Sequence, residues 1–222
     1  MGKLIVFEGT DGSGKSTQFE FLTKRLERER IGFHRLRFPR YDQPSSALIR
    51  MYLGGDFGQD PAAVNAYAAS TFYAVDRYAS YVQDWKAAYD GGTLILSDRY
   101  TTSNAVHQGG KVPEAEREAF FRWLYDLEYE KMGLPRPDLV LCLDMPIELS
   151  EQLMRKREQD THTHADIHEQ NRSYLRQCRA TALEAARCYG WTVVPCARDG
   201  KLRTVEDIHE EIYRQVIQCL ED

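Results

Sequence analysis

The junction at the start of the chain constrains it most: the apolar run Leu4-Ile5-Val6-Phe7 passes almost at once into Gly9-Thr10-Asp11-Gly12-Ser13-Gly14-Lys15-Ser16-Thr17. The spacing G-x-x-x-x-G-K-[ST], set after a strand pattern and before an amphipathic helical one, is that of a phosphate-cradling P-loop. Gly9, Gly12 and Gly14 let the backbone turn with its N–H groups inward, Lys15 brings a cation to the outer phosphates, and Ser16 offers a hydroxyl to Mg²⁺. A polyphosphate is the expected ligand. A glycine-rich turn without a ligand is the competing reading, and the flanking elements weigh against it.

With 222 residues, 42% of them hydrophobic, the chain has enough apolar material for one sizeable core. No Pro/Gly/Ser-rich linker, repeat or low-complexity tract divides it, so a single domain over residues 1–222 is expected. The net charge of −5 argues against a nucleic-acid polymer as partner and leaves the local arginine clusters to small anions. Five cysteines, an odd count without C-x-x-C spacing, read as reduced and packed thiols. The sequence enters its first strand without a basic lead or a long apolar segment, so neither export nor membrane insertion is expected, and a cytoplasmic place is.

Short β-like runs at residues 3 to 8, 33 to 38, 93 to 97, 138 to 144 and 191 to 196 alternate with helical patterns near 15 to 30, 45 to 53, 61 to 90, 114 to 131, 147 to 159, 167 to 189 and 204 to 220. Leu94-Ile95-Leu96 and Leu139-Val140-Leu141-Cys142-Leu143 are almost continuously apolar, as strands covered on both faces must be. The pattern predicts an α/β fold with a five-stranded parallel sheet flanked by helices. Asp60-Pro61 reads as a helix start and Gly91-Gly92 as the end of the same helix. Ligands of such sheets gather beyond the carboxyl ends of the strands. Ser97-Asp98-Arg99-Tyr100 stands at such an end, where Asp98 suits a direct or water-mediated Mg²⁺ contact and Arg99 offers a fork to a phosphoryl group.

Taken together, Phe7 to Thr17, Arg37-Phe38-Pro39-Arg40-Tyr41, Tyr73-Ala74-Val75-Asp76-Arg77, Asp98-Arg99-Tyr100 with Ser103-Asn104, and the basic segment after the fourth strand resemble the thymidylate kinases over essentially the full length. These are three-layer P-loop kinases that move the γ-phosphate of ATP to dTMP. The resemblance implies ATP as donor, dTMP as acceptor, Mg²⁺ as cofactor, a place in deoxythymidine nucleotide synthesis and a homodimer. It directs Asp11 toward the 3′-hydroxyl of the deoxyribose and the surroundings of the acceptor phosphate. Phe38 becomes a wall of the base pocket, with Tyr41 or Arg40 a contact to the acceptor's 5′-phosphate. Pro39 takes the chain out of its strand by an extended turn.

Tyr73 and Arg77 stand four apart and share one helix face. An aromatic ring there can stack on a pyrimidine while the guanidinium reaches a carbonyl at its edge, as in the family. Phe72 leaves a one-place ambiguity, although only Tyr73 has the four-residue spacing to Arg77. The resemblance places Ser103 and Asn104 near the base and residue 107 against the sugar. His107 departs from the aromatic of many relatives. A lid is implied near 155–168, in which Arg155 or Arg157 supplies the cation that Gly12 and Ser13 of the loop do not. A solvated helix face is the competing reading of that charge run. His162, His164 and His168 lack a Cys or carboxylate frame, and no zinc site is assigned to them. Arg198 resembles part of the adenine-contacting loop. Two alternatives stay open: a kinase of another pyrimidine nucleotide or deoxynucleoside, and a non-catalytic P-loop module.

Overall fold

Strand β1 (Leu4–Gly9) is buried at every position, its apolar run Leu4–Phe7 as the middle of a sheet requires and Glu8 with it. The computed structural model describes residues 1–58, 60–161 and 172–221, without the side chains of 61, 155–161, 172 and 173. Strands β1, β2 (Phe33–Arg37), β3 (Leu94–Asp98), β4 (Leu139–Asp144) and β5 (Thr192–Pro195) form one parallel sheet in the order β2-β3-β1-β4-β5. A small antiparallel pair follows, β6 (Ala197–Arg198) with β7 (Lys201–Leu202). Eight α-helices flank the sheet among the described residues: α1 (Lys15–Arg28), α2 (Ala47–Gly54), α3 (Ala66–Ser80), α4 (Lys86–Asp90), α5 (Arg117–Tyr125), α6 (Ile147–Thr161), α7 (Arg172–Tyr189) and α8 (Val205–Glu221). The α/β class and the five strands agree with the sequence pattern.

One helix boundary differs. Asp60 caps only a short turn, accepting from the Ala62 N–H at 2.8 Å, whereas Asn65 accepts from the Ala68 N–H at 2.9 Å and starts α3. Val64 between them is extended, so two cap-forming residues in tandem divide what reads in sequence as one start. Helix α3 stops at Ser80, a wider turn spans Tyr81–Trp85, and it is α4 that ends where the pattern expects, with the Gly91 N–H on the Ala87 carbonyl and Gly92 at φ 92°.

The contacts divide the chain into two compact units. The first comprises Met1–Val6 and Phe33–Pro137. In it β2 pairs with β3 in parallel, with Arg37 opposite Asp98. Leu94, Ile95 and Leu96 are buried, as are Trp85, Tyr100, Phe120 and Phe121. Small residues on the inner side of α3, Ala66, Ala69, Ser70 and Ala74, leave room there for one large side chain, that of Arg77.

The second unit comprises Phe7–Gly32 and Asp138–Asp222. Phe7 on β1 and Phe19 on α1 meet edge to face with centroids 5.2 Å apart, both fully buried. Each contributes about 1.5–3 kcal/mol by leaving water, and together they clamp the two ends of the loop between them. Helix α8 lies along α1 in the same unit, where the Gln18 side-chain amide donates to the Val205 carbonyl at 2.9 Å. Strand β4 pairs with β5, and Leu141, Cys142 and Leu143 are buried.

Candidate functional site

The turn between β1 and α1, in the second unit, has the form an anion needs. Gly14 holds the helix N-cap at φ 82°, ψ 7°, no side chain caps the helix, and no acidic residue stands in its first turn. The first N–H groups of α1 and the positive end of its dipole are left for a ligand. Gly12, at φ 75°, is required twice over: a Cβ there would stand 2.7 Å from the Ser150 carbonyl oxygen and 2.8 Å from Met154 Cγ. Thr10 to Thr17, with Leu153 and Met154 of α6, line a cavity of about 280 Å³. Thr10, Ser13 and Lys15 are buried in its wall, Asp11 is half-buried, and Ser16 and Thr17 are exposed. The Ser13 hydroxyl has no hydrogen-bond partner among the described residues.

The Gly9 N–H donates to Glu8 Oε1 at 2.9 Å where strand turns to loop. Below the loop, the Cys196 thiol donates to the Ser13 carbonyl at 3.8 Å. Burial, aided by Asp144, pushes that thiol up to about 12. Arg198 follows on β6 and is exposed. Helix α6 carries Arg155 and Arg157, whose side chains lie outside the described residues, as do His162, His164 and His168.

In the first unit, β3 ends on Asp98, which is 5% exposed and has Arg37 Nε 3.6 Å from its carboxylate. Arg99 follows at φ 67°, a left-handed conformation that costs an ordinary residue about 1–2 kcal/mol. The Ser97 hydroxyl holds it by donating to the Arg99 carbonyl at 2.6 Å, and Arg99 Nη1 lies 2.7 Å from His107 Nε2. Backbone strain of this kind clusters at functional sites.

Arg77 is fully buried and bidentate on Glu128, with Nε to Oε2 and Nη2 to Oε1 both at 2.6 Å. The Asn104 amide donates to the same Glu128 Oε1 at 3.0 Å and to the Ser70 carbonyl at 3.1 Å. Burial works to lower the Arg77 pKa, and the Glu128 carboxylate outweighs it, holding the group above its ordinary value. Arg77 Nη1 has no protein partner among the described residues. The structure thus brings Arg77 and Asn104 together through a residue the motif reading missed. A signal existed in the sequence, because Glu128 continues the buried stripe of Phe121 and Leu124 at spacings of three and four.

Tyr73, one helical turn before Arg77, is half-buried, and its ring and hydroxyl meet no aromatic or hydrogen-bonding partner among the described residues. Burial pushes its phenol well above the ordinary range. Phe72 packs on Phe57, centroids 5.8 Å apart. Phe38 is buried 6.0 Å from the Tyr100 ring, and its peptide bond to Pro39 is cis. Ser103 is half-buried, its N–H on the Tyr100 carbonyl at 3.2 Å. Tyr41 is exposed. Arg40 is different: its backbone N–H donates to Asp76 at 2.9 Å, and its guanidinium donates to Asp76, to Asp84 and to the Ser45 hydroxyl. All three guanidinium nitrogens are engaged within the loop and the helix beneath it.

A βα turn with an uncapped helix start, a buried lysine and an exposed serine defines a P-loop nucleotide-binding protein of the α/β class. The family model described as thymidylate kinase matches residues 7–212, nearly the whole of that framework. The chain belongs to the thymidylate kinase family. It is 32% identical to the thymidylate kinase of Mycobacterium tuberculosis (strain ATCC 25618 / H37Rv) over 85% of this chain and 87% of that protein. It is 30% identical to a probable thymidylate kinase of Thermococcus gammatolerans, over 98% and 97% of the two chains. The thymidylate kinase of Halothermothrix orenii is 28% identical over 99% and 98%.

Proposed function

We propose that the chain transfers the γ-phosphoryl group of ATP to the 5′-phosphate of dTMP, giving ADP and dTDP for deoxythymidine nucleotide synthesis. The observation that carries this is the buried Arg77–Glu128–Asn104 network with the unpartnered Tyr73 ring one turn away. A nucleotide switch or an idle binder has no use for a second set of base-reading groups.

In this reading the amides of residues 12 to 16 and the Lys15 ammonium neutralise the donor's phosphates. Ser16 and Asp98 are the residues that would hold Mg²⁺: the Ser16 hydroxyl on the cavity wall and the nearly buried Asp98 carboxylate are each hard oxygen donors of the kind that ion takes. Bound Mg²⁺ supplies charge neutralisation at the transferring group. Tyr73 stacks on the base, Arg77 Nη1 donates to a carbonyl at its edge, Phe38 walls the pocket, and Ser103 and Asn104 border the base. Arg99 takes the acceptor phosphate together with Tyr41 or Arg40, the latter anchored in its loop by Asp76, Asp84 and Ser45. Asp11 orients the 3′-hydroxyl, His107 borders the sugar, Arg155 or Arg157 covers the transferring group, and Arg198 contacts adenine. The acceptor oxygen is already ionised, so no strong general base and no covalent intermediate are needed, and catalysis is positioning and electrostatics.

The reading includes action as one catalytic domain, a homodimer and a cytoplasmic place. Among the described residues no helix is long and apolar enough to cross a membrane, and the five cysteines are unbonded. Sedimentation of the purified chain at twice the monomer mass is the result expected for the dimer.

A panel of nucleoside monophosphates and nucleosides with ATP tests the acceptor. dTMP is expected to give the highest kcat/KM. dUMP should follow, since one methyl group in an apolar pocket is worth about 1–3 kcal/mol. Better turnover of thymidine than of dTMP would reject the assignment.

A further inference from the structure

We infer that His107 is a positioning residue for Arg99: its neutral imidazole accepts a hydrogen bond from the guanidinium and holds the arginine in the pose that grips the acceptor's 5′-phosphate. The inference rests on the reading of Arg99 as a ligand of that phosphate. The contact itself is 2.7 Å from Arg99 Nη1 to His107 Nε2. A guanidinium cannot lose its proton in a protein and has no lone pair to offer, so it is the donor. Nε2 is therefore the acceptor, and the imidazole's one proton sits on Nδ1.

Two features make this more than a surface contact. Arg99 is held at both ends, its backbone at φ 67° under the Ser97 hydroxyl and its head against His107. The rotamer freedom of a long side chain is thus reduced before any phosphate arrives. His107 itself sits on the turn Asn104–Gln108, in which the Gly109 N–H reaches back five residues to the Asn104 carbonyl. This wide turn carries both Asn104, which bonds Glu128, and His107, which bonds Arg99. One short segment therefore supports the base-reading arginine and the phosphate-gripping one.

The choice of acceptor fits the task. Arg77 is held by a carboxylate that offsets its charge, whereas the contact to a neutral imidazole steadies Arg99 without subtracting from the charge it presents to a dianion. A phenylalanine at position 107 fills the same half-buried place but has no lone pair. A glutamine offers a carbonyl oxygen.

The test compares the wild-type protein with His107→Phe, His107→Gln, Arg99→Ala and the double variant His107→Phe/Arg99→Ala, reading calorimetric dTMP Kd and steady-state kinetics. His107→Phe is expected to raise the Kd and KM for dTMP about tenfold, the loss of one hydrogen bond to a charged group, with kcat and the KM for ATP within about twofold of wild type. His107→Gln is expected to recover most of that loss. In the Arg99→Ala background the Phe substitution should cost far less than it does in the wild type, because the group it positions is gone. Unchanged dTMP affinity in His107→Phe, equal losses for Phe and Gln, or a full additional loss in the Arg99→Ala background would each overturn the role of His107. A wild-type protein with no dTMP-dependent turnover would instead overturn the reaction itself, and this inference with it.

Discussion

Glu128 is wholly buried and is the ion-pair partner of an arginine that is 2% exposed. Removing one member of such a pair leaves the other charge in a poor solvent, so Glu128→Ala is expected to cost about 3–5 kcal/mol of stability by urea unfolding. Glu128→Gln, which keeps hydrogen bonding but loses the charge, should cost less. Both should weaken dTMP binding, since Arg77 and Asn104 lean on the same oxygen. Lys15 carries a different consequence: in the proposed reaction its charge meets the donor's phosphates, so Lys15→Ala is expected to lower kcat by about 10²–10³ with the circular dichroism spectrum unchanged. The thiols give a prediction in pH. With Cys196 pushed up to about 12, it stays protonated and inert at pH 8, whereas Cys188 is exposed. Alkylation followed by mass spectrometry should modify Cys188 first in the native protein, and reach Cys142, Cys178 and Cys196 only on unfolding.

At the scale of elements, the loop between β1 and α1 joins a buried strand to a helix whose start is left uncapped. Gly12→Ala would place a methyl group 2.7 Å from the Ser150 carbonyl at a backbone angle that alanine avoids. The expected outcome is a loss of about 1–3 kcal/mol in thermal unfolding and a marked weakening of ATP binding by calorimetry. This loop was legible in the sequence because all its determinants are local: glycines at fixed offsets, a lysine, a hydroxyl, a strand before and a helix after. The same holds for the five strands and for the four-residue step from Tyr73 to Arg77. What escaped was set by partners distant along the chain. Glu128 reads as one more acid on a helix until Arg77, 51 positions earlier, is known to face it. Arg40 reads as a candidate contact to the acceptor's phosphate, and its anchoring by Asp76 and Asp84, 36 and 44 positions on, is visible only in the fold. The start of α3 was misplaced for a local reason, two cap formers within six residues of each other.

For the whole molecule, the phosphate loop belongs to one compact unit and the Arg77–Glu128–Asn104 network to the other. In the proposed reaction the loop serves the donor and the network the acceptor's base, and the family match runs through residues of each unit. Variants should therefore sort by substrate: Arg99→Ala is expected to raise the dTMP KM about tenfold or more while the ATP KM moves little, and Gly12→Ala the reverse, in full two-substrate kinetics. The most direct test follows the phosphorus atom. With γ-labelled ATP, Mg²⁺ and dTMP, the label is expected in dTDP, equal in amount to the ADP formed, and in nothing when dTMP is left out. Label released as inorganic phosphate whether or not dTMP is present, or transferred to thymidine in preference to dTMP, would contradict the account.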